Sequence, residues 1–319
     1  MHLAPLTPAA YPDLAALLTA QLGAMPPGLT FDADSVAAAL AGEDYWQVFY
    51  ADEVTPSYET ERVGVFSGGR LLAAASCRWP DRADVGWYWD RDYRQAFPNW
   101  AADGRTLTQV VWLAAAPEAP EALDRLLPTL LAEARARGHH RLDLNGRNPF
   151  GLGWQGVPGH WTHVLDALRR AEAPGVRLAP PDRWQLATRD LADLPAAGPL
   201  PEGVELHWRP ANGAPETTLL ASEAGRAVAE CQVWEVPPHL ADAADWCCVE
   251  WLGVDETQRR RGLGAHLVRA QLARQAQQGK RHAALWTQVD NAPVRRLNER
   301  LGFRLGPECW QLHYQLDPV

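Results

Sequence analysis

The chain lacks the features that mark membrane, secreted and metal-binding proteins. None of its apolar runs approaches the roughly 20 residues that a membrane helix needs. Its first residues contain neither the basic segment nor the apolar core of a secretory signal. Its five cysteines are an odd number and do not have metal-ligand spacing. These absences predict a cytoplasmic protein that has free thiols and binds no metal.

Positive charge is also in deficit. The 30 Lys and Arg residues face 39 Asp and Glu, which gives a formal net charge of -9. Because contacts to phosphates dominate the affinity of proteins for nucleic acids, this balance disfavours nucleic acid as a partner and is compatible with a cationic substrate. The apolar fraction of 47% is typical of a globular protein, and 319 residues are enough for two domains.

A pattern of predicted elements is present twice. In the first half, the spacing of apolar residues predicts two helices, a hairpin, a strand, a long helix, a strand, a helix and a closing strand at 184–189. From residue 204 onward, a strand, a hairpin, a strand, a helix, a strand, a helix and a last strand at 310–316 follow in similar order. The sequence therefore predicts an internal duplication.

The second copy is shorter than the first. The residues between Trp208 and Thr217 are too few to form the two opening helices of the first copy. The stretch 191–203 contains three prolines and two glycines, which is typical of a linker. We therefore predict one domain at 1–195 and another at 200–319.

The most informative segment lies in the second copy. A predicted strand at 246–254 is joined to a predicted helix at 265–277 through Arg259-Arg260-Arg261-Gly262-Leu263-Gly264-Ala265. Glycine lets the chain turn tightly and lets a ligand approach the main chain. The first N–H groups of a helix have no partners within the helix, and the helix dipole favours negative charge there. The segment predicts a pyrophosphate site; the alternative is an exposed, solvated arginine cluster.

These residues resemble the phosphate loop of the GNAT acyltransferase superfamily, Gln/Arg-x-x-Gly-x-Gly/Ala, which stands here as Arg259-x-x-Gly262-x-Gly264. A second family pattern, an Asn before a helix that ends in Gly-Phe, is present as Asn291 and Gly302-Phe303. The resemblance covers roughly residues 217–316. The unequal tandem arrangement is similar to that of double-GNAT proteins such as mycothiol synthase.

The resemblance implies an α+β fold with two GNAT-like domains. Each has a mixed, mostly antiparallel sheet flanked by helices, and the second lacks the two opening helices. It also implies acetyl-CoA or another acyl-CoA as donor, with pantetheine in a gap between the strands at 246–254 and 282–289. A main-chain N–H near Gly253 or Val254 would polarise the thioester carbonyl. The implied cofactor-binding residues are Leu252, Gly253, Val254, Arg259, Arg260, Arg261, Gly262, Leu263, Gly264, Ala265 and Asn291; for Asn291, a helix N-cap is the alternative.

Two further residues stand at positions where relatives carry catalytic groups. Glu250 occupies the place of a carboxylate base, and its alternative is a surface residue or ion-pair partner. Asn298 replaces the usual Tyr, and an amide cannot donate a proton at a useful pKa. The thiolate would then leave with hydrogen-bond assistance only, another group would act, or the domain would bind acyl-CoA without turnover.

The first copy departs further from the family pattern. Its corresponding turn, 117–122, has two prolines, two acids and no glycine, so we predict that it does not hold a pyrophosphate. Between residues 79 and 100, aromatic residues alternate with acids. This insertion packs onto the other domain, binds a cation or covers an acceptor pocket. Residues 148–153 are glycine-rich and predict a loop.

We therefore predict a GNAT-type N-acetyltransferase that moves an acetyl group from acetyl-CoA to a small-molecule amine by direct attack in a ternary complex. The first domain would supply structure and part of the acceptor pocket. No nucleic acid or membrane partner is expected, and the two domains would form an internal pair in a monomer. The alternative, favoured by Asn298, is a non-catalytic acyl-CoA-binding or scaffold protein.

Overall fold

A computed structural model gives the structure of the protein and describes residues 1–23, 28–41, 58–80, 107–144, 149–151, 156–209, 216–236 and 240–317. Two sheets, of seven and eight strands, form the centre of its two halves. Both are mostly antiparallel, and helices flank them, which confirms the predicted fold class.

The first half begins with a strand and two helices. Asp32 accepts a hydrogen bond from the Ser35 backbone N–H at 2.7 Å, which caps the start of the second helix. The predicted hairpin around Gly68 and Gly69 is present. The elements are β1 (His2–Pro5), α1 (Tyr11–Leu22), α2 (Ala33–Ala41), β2 (Tyr58–Ser67), β3 (Arg70–Pro80), β4 (Leu107–Ala115), α3 (Leu123–Ala136), β5 (Arg141–Asp143), β6 (Val157–Pro158), α4 (Thr162–Arg170), β7 (Val176–Leu178) and β8 (Asp182–Asp190).

The second half follows the predicted order without opening helices among its described residues. Its hairpin turns at Ala224 and Gly225, and Gly302 ends its last helix in the left-handed conformation with φ of 78°. The elements are β9 (Val204–Arg209), β10 (Glu216–Glu223), β11 (Arg226–Glu235), β12 (Trp246–Val254), α5 (Leu263–Gln277), β13 (His282–Gln288), α6 (Ala292–Arg300), β14 (Arg304–Gln311) and β15 (His313–Leu316).

The two halves exchange their last strands. The first sheet has the order β1-β2-β3-β4-β5-β15-β7, so the last strand of the chain lies between two strands of the first half. The second sheet has the order β6-β14-β8-β13-β12-β11-β10-β9, in which β8 lies between β14 and β13. A parallel pair joins the strands on either side of the long helix in each sheet, β4 with β5 and β12 with β13.

This exchange corrects two sequence-based expectations. Residues 184–189 do not close the first sheet, and residues 310–316 are not one strand of the second. The chain leaves the second sheet at Leu312, which is buried and whose carbonyl accepts a hydrogen bond from Leu144 N–H at 2.8 Å. Alternating apolar spacing identifies a strand but does not specify its partner. The domain bounds 1–195 and 200–319 stay a prediction.

The exchanged strands contribute to the cores of their new sheets. Tyr314 of β15 is fully buried in the core of the first half, and its hydroxyl donates to the Leu168 carbonyl at 2.6 Å. Ala187 of β8 lies in the core of the second half under α5. A third, small cluster joins the halves, because Leu29 of the first half packs with Leu240 of the second.

The two sheets differ in how their faces are covered. Residues 71–79 of β3 and 110–116 of β4 and the following turn are buried almost without interruption, so helices and loops cover both faces of the first sheet. In β11, buried and half-buried residues alternate from Ala229 to Val233, and in β12 only residues 247–249 are buried. Helix α5 covers one face of these strands, and the other face is partly open to solvent.

Candidate active site

A gap opens in the second sheet between β12 and β13. Their parallel pairing runs from Trp246 and His282 to Val249 and Leu285 and ends there, although both strands continue. On its other side, β12 stays paired with β11 as far as Val254. The main-chain groups of β12 that face β13 beyond Val249 therefore have no strand partner in the described part of the chain.

A β-bulge lies where the gap begins. Val249 pairs with Val233 and Trp251 pairs with Gln232, so Glu250 has no counterpart on β11. A bulge bends its strand and increases the local twist, which turns β12 away from β13.

The bulge also fixes which side chains share a face. Leu252 and Val254 pack against the core under α5. Because side chains alternate along a strand, Trp251 lies on the opposite face, and the extra residue at the bulge places Glu250 there as well. The predicted base and an exposed indole are thus neighbours on the open face of the sheet.

The main-chain donors that face the gap can be assigned from the pairing. Asp255 N–H donates to the Val228 carbonyl at 2.9 Å and so faces β11. Successive N–H groups of a strand point to opposite sides, so those of Val254 and Leu252 face the gap and that of Gly253 faces β11. Of the two residues that the resemblance offers for polarising a carbonyl, only Val254 points its N–H into the gap.

The helix α5 begins beside this gap without a side-chain cap. Gly262 is its N-cap residue and has φ of 83°, a left-handed conformation that glycine adopts at little cost. The first backbone bond of the helix is donated by His266 N–H to the Gly262 carbonyl at 3.0 Å. The N–H groups of Leu263, Gly264 and Ala265 therefore have no partner within the helix.

Gly264 leaves room between the loop, the strand and the next helix. A Cβ atom at this position would lie 3.4 Å from Val254 Cγ2, 3.6 Å from Leu252 Cδ2 and 3.9 Å from Leu297 Cδ2. A larger side chain would fill the space at the entrance of the gap.

The three arginines of the loop have different roles. Arg259 forms an ion pair with Glu256 at 3.2 Å, and its Nε donates to the Val254 carbonyl at 3.2 Å. Arg261 pairs with Glu223 of the hairpin at 3.1 Å. Arg260 is exposed, has φ of 65° and forms no ion pair within the described residues. Arg259 and Arg261 thus stabilise the loop, while Arg260 offers an unneutralised charge.

Helix α6 positions the two predicted asparagines. Asn291 caps it, since its side chain accepts from Val294 N–H at 3.3 Å, so the N-cap alternative describes its local role. Asn298 lies on the same face two turns later, is only 2% exposed, and its Nδ2 has no hydrogen-bond partner within the described structure. An unpaired buried donor costs about 1–3 kcal/mol, and a bound ligand or water would offset that cost.

At the equivalent place in the first half, the protein's own side chains contact the strand end. Pairing of β4 with β5 ends at Gln109 and Asp143, although β4 continues. The carbonyl of Ala115 at the end of β4 accepts a hydrogen bond from Gln21 Nε2, and His163 Nε2 lies 3.1 Å from it. Trp161 Nε1 donates in turn to the Gln21 carbonyl at 3.2 Å.

The turn after β4 supports the prediction that it does not bind a pyrophosphate. A 3-10 turn, Pro120–Ala122, precedes α3. Glu118 forms an ion pair with Arg70 at 2.6 Å, and hydrogen bonds from its own backbone and from Arg70 hold the pKa of its carboxyl below the usual value. A carboxylate therefore stands in this turn, whereas the corresponding turn of the second half contains glycines and arginines.

Some predicted features lie outside the described residues. These are residues 81–100 of the aromatic insertion, the short strand predicted at 46–50, and residues 148 and 152–153 of the glycine-rich loop. Of the insertion, Trp79 is described and is buried in the core of the first half, where the Arg137 guanidinium lies 4.5 Å from its ring centre.

Sequence reasoning missed three residues that shape the site. Glu223 and Gln258 hold Arg261 in place, and Trp251 stands exposed beside Glu250. The adjacency of Glu and Trp in a predicted strand gives no signal of a shared face, since regular alternation would separate them.

The described part of the chain contains no helix that is long and apolar enough to cross a membrane. Nor does it bring three His, Cys, Asp or Glu side chains together as a metal site would require.

Comparisons with known proteins agree with this geometry. Residues 184–303 match the model of the acetyltransferase (GNAT) family. No curated protein sequence matches the chain significantly. A GCN5-related N-acetyltransferase from Sphaerobacter thermophilus has a TM-score of 0.62 at 17% identity, over 100% of this chain and 96% of that one.

Two further solved structures share the fold. A tandem GNAT protein from the clavulanic acid biosynthesis pathway has a TM-score of 0.62 at 16% identity, over 100% of this chain and 99% of that one. A glucosamine N-acetyltransferase region of a fungal multi-domain β-N-acetylglucosaminidase has a TM-score of 0.64 at 12% identity, over 98% of this chain and 38% of that one. Residues 184–303 are therefore an acetyltransferase domain of the GNAT family, in a chain that as a whole has the fold of a tandem GNAT protein.

Proposed function

We propose that the chain transfers an acetyl group from acetyl-CoA to a small-molecule amine, by direct attack in a ternary complex at the gap between β12 and β13. One observation carries this proposal: strand pairing ends at Val249 and Leu285, directly beside an uncapped helix start at Gly262. Unpaired N–H groups and space for a ligand thus meet in one place. The first half has the same strand order, but Gln21 and His163 contact the carbonyl at the end of its strand β4.

The residues present fit a CoA pyrophosphate. Leu263, Gly264 and Ala265 have N–H groups that no side chain caps, and Arg260 adds a positive charge. The lack of a side chain at Gly264 keeps the entrance open between Val254 and Leu297. Bound there, acetyl-CoA would supply the acetyl group as an activated thioester.

Two residues around the gap, Val254 and Glu250, would have different roles in the reaction. The Val254 N–H would donate to the thioester carbonyl oxygen and stabilise the negative charge that develops when the amine nitrogen attacks. Glu250 would accept the proton that the ammonium group must lose. It stands four residues before Val254, about 13 Å along an extended strand, so the proton would pass through water.

The leaving thiolate would be stabilised rather than protonated by the protein. The Asn298 Nδ2 group is buried and lacks a partner within the described residues, and the neighbouring Leu297 borders the space beside Gly264. As the carbon–sulfur bond breaks, the amide would donate a hydrogen bond to the sulfur, which then takes its proton from solvent.

The remaining predictions concern the cellular setting and the partners. All five cysteines are buried as thiols, which supports a cytoplasmic location, where thiols stay reduced. The strand exchange supports an internal pair of domains in a monomer. The likeness to mycothiol synthase stays a prediction that nothing in the fold makes specific.

The test compares two glycines at opposite ends of α5. Gly262 and Gly279 both have positive φ, 83° and 91°, and a Cβ atom added at either would meet no described atom within 4 Å. Gly262→Glu and Gly279→Glu therefore carry the same backbone cost and the same charge change. We expect Gly262→Glu to lower kcat/KM for acetyl-CoA about 100-fold or more through repulsion of the pyrophosphate, and Gly279→Glu to leave it unchanged.

The outcomes distinguish an enzyme, a non-catalytic acyl-CoA-binding protein and a protein without a cofactor site at this loop. Acetylation of an amine panel that Gly262→Glu abolishes supports the proposal. Thermal stabilisation by acetyl-CoA without turnover on any acceptor supports the alternative of a non-catalytic acyl-CoA-binding protein. Equal behaviour of both variants would overturn the assignment of the cofactor site.

A further inference from the structure

An exposed tryptophan lies on the open face of the second sheet beside the proposed site. Trp251 is 52% exposed, although it stands in the middle of a paired strand. The bulge places it on the same face as Glu250. On this face, the indole offers an aromatic surface that a cation can contact.

The indole and a carboxylate converge on one point. A Cβ atom at Gly253 would lie 3.0 Å from Trp251 Nε1 and 3.7 Å from Glu230 Cγ. The indole therefore extends along β12 toward Val254, and Glu230 approaches the same position from β11. The absence of a side chain at Gly253 allows both groups to border one space at the mouth of the gap.

The carboxylate of Glu230 retains capacity for another cation. Its contact with Arg209 spans 3.7 Å, which is longer than a hydrogen bond, and both side chains are partly exposed. An exposed ion pair of this kind contributes about 0–1 kcal/mol and is readily replaced. An aromatic face and an incompletely neutralised carboxylate together favour a positively charged group.

We propose that this face, formed by Trp251, Glu230 and Gly253, binds an acceptor that carries a permanent cation apart from the amine that is acetylated. The proposal rests on the proposed function and names the substrate class of the same site. The reacting amine must lose its charge before attack, so it cannot keep a cation–carboxylate contact throughout the reaction. A second cation can keep that contact, and it would orient the amine from outside the gap. The net charge of -9 adds a favourable field for such an acceptor.

The experiment uses two matched series of acceptors. One series consists of ω-aminoalkyl-trimethylammonium ions of graded chain length, and the other replaces the quaternary nitrogen by carbon and so ends in an uncharged tert-butyl group. We expect kcat/KM of the wild type to be about tenfold higher for the charged series, because a cation–π contact and a nearby carboxylate both favour a cation. The difference should lie in KM, with kcat similar for the two series. Trp251→Leu and Glu230→Gln should each reduce this preference several-fold, because kcat/KM should fall more for the charged series than for the uncharged one.

Trp208→Leu is the matched control. Trp208 is also exposed, at 41%, but lies on the α5 face, where the Arg274 guanidinium already stands 4.2 Å from its ring centre. Its replacement should leave the preference for charge unchanged.

Calorimetric binding of the same compounds distinguishes this inference from the proposed function. Charge-selective binding that Trp251→Leu removes supports the inference even if no acceptor is acetylated. Acetylation of both series with equal kcat/KM upholds the proposed function and overturns the inference. Absence of both turnover and charge-selective binding overturns the inference as well.

Discussion

The two strand–turn–helix units of this chain share a fold but differ at the point where a ligand would enter. In the second half, β12 diverges from β13, the turn contains Gly262 and Gly264, and α5 begins without a cap. In the first half, the pairing of β4 with β5 stops because β5 itself ends at Asp143, and the protein's own side chains contact the end of β4. The comparison shows that the same strand order leaves the end of the fourth strand accessible in one half and covered by side chains in the other.

The difference in accessibility between the two halves is related to the elements that contribute the side chains at the end of β4. Gln21 comes from α1 and Trp161 precedes α4, so the contacts at the end of β4 involve an opening helix. The second half has no such helix among its described residues, and one face of its sheet stays partly open. The two copies therefore differ in accessibility: the sheet of the first is covered on both faces, and the sheet of the second is partly open on one.

Replacing Tyr314 by alanine should have the largest effect, and this effect should be confined to the stability of the first half. Tyr314 is fully buried in the first half although it comes from the end of the chain. Tyr314→Ala should lower the free energy of unfolding by about 3–5 kcal/mol, through a large cavity and the lost bond to the Leu168 carbonyl. Hydrogen exchange should rise in β5 and α4, while acetyl-CoA affinity stays unchanged.

Phe303→Ala is the control for this exchange of strands. Phe303 is 4% exposed and lies in the core of the second half. Its replacement should raise hydrogen exchange in α5 and α6 instead. If Tyr314→Ala loosened the same elements as Phe303→Ala, β15 would belong energetically to the second half.

His313 should make the contact between the halves sensitive to acid. Burial, reinforced by the Arg141 guanidinium, lowers the pKa of His313 from 6.5 to about 4. The unfolded chain therefore binds a proton at a pH where the folded chain does not. The stabilisation is fully present above pH 6.5 and is lost as the pH falls toward 4.

Denaturant unfolding of His313→Gln at several pH values checks this effect. The free energy of unfolding of the wild type should fall between pH 6.5 and pH 4. We expect that of His313→Gln to fall by about 1–2 kcal/mol less, a figure that allows for the partial exposure of His313. Asp143, whose pKa burial raises, is shared by both proteins and cancels in the difference. Identical pH profiles for the two proteins would contradict a buried neutral His313.

Replacement of Asn298 tests whether this residue assists the reaction at the gap between β12 and β13. Asn298→Leu keeps the volume and removes a buried donor that has no partner among the described residues, so the thermal midpoint should stay the same or rise. If Nδ2 assists the leaving sulfur, kcat should fall about tenfold, which corresponds to about 1.4 kcal/mol. The defect should shrink with an aryl thioester donor, whose thiolate leaves without assistance. A variant that is more stable and equally fast would assign Asn298 no catalytic role.

Much of this architecture could be predicted from the sequence, because local signals carry it. Gly262 predicts a left-handed turn before a helix, Asn291 predicts an N-cap, and Gly302 predicts a C-terminal cap; all three are present. Each depends on a residue type and its near neighbours.

The exchange of strands and the bulge could not be predicted in this way. The pattern at 184–189 fits either sheet, since strand pairing is decided by distant residues. The bulge at Glu250 depends on register with β11 and has no local signature. The pairing of Arg261 with Glu223 likewise joins a loop and a hairpin that are distant in sequence. The sequence therefore predicts the anion loop better than the acceptor face.

The hairpins of the two halves give the smallest and cleanest comparison. Both turns have positive φ at the two central residues, but the first uses Gly68 and Gly69, and the second uses Ala224, with φ of 51°, before Gly225. A side chain other than Asn or Asp is strained in this conformation. Ala224→Asn should therefore stabilise the protein by about 0.5–1 kcal/mol and raise its thermal midpoint by about 1–3 °C. Gly68→Ala should have the opposite effect of similar size.

The hairpin variant also bears on the site, because Glu223 precedes Ala224 and pairs with Arg261 of the anion loop. If strain in the turn displaced Glu223, relief of that strain would change the KM for acetyl-CoA together with the thermal midpoint. The Gln258 Nε2 atom already donates to Glu223 at 2.8 Å, so the carboxylate is held from a second side. We therefore expect a shift in thermal midpoint with an unchanged KM. A change in KM would show that the loop depends on the hairpin turn as well as on its own glycines.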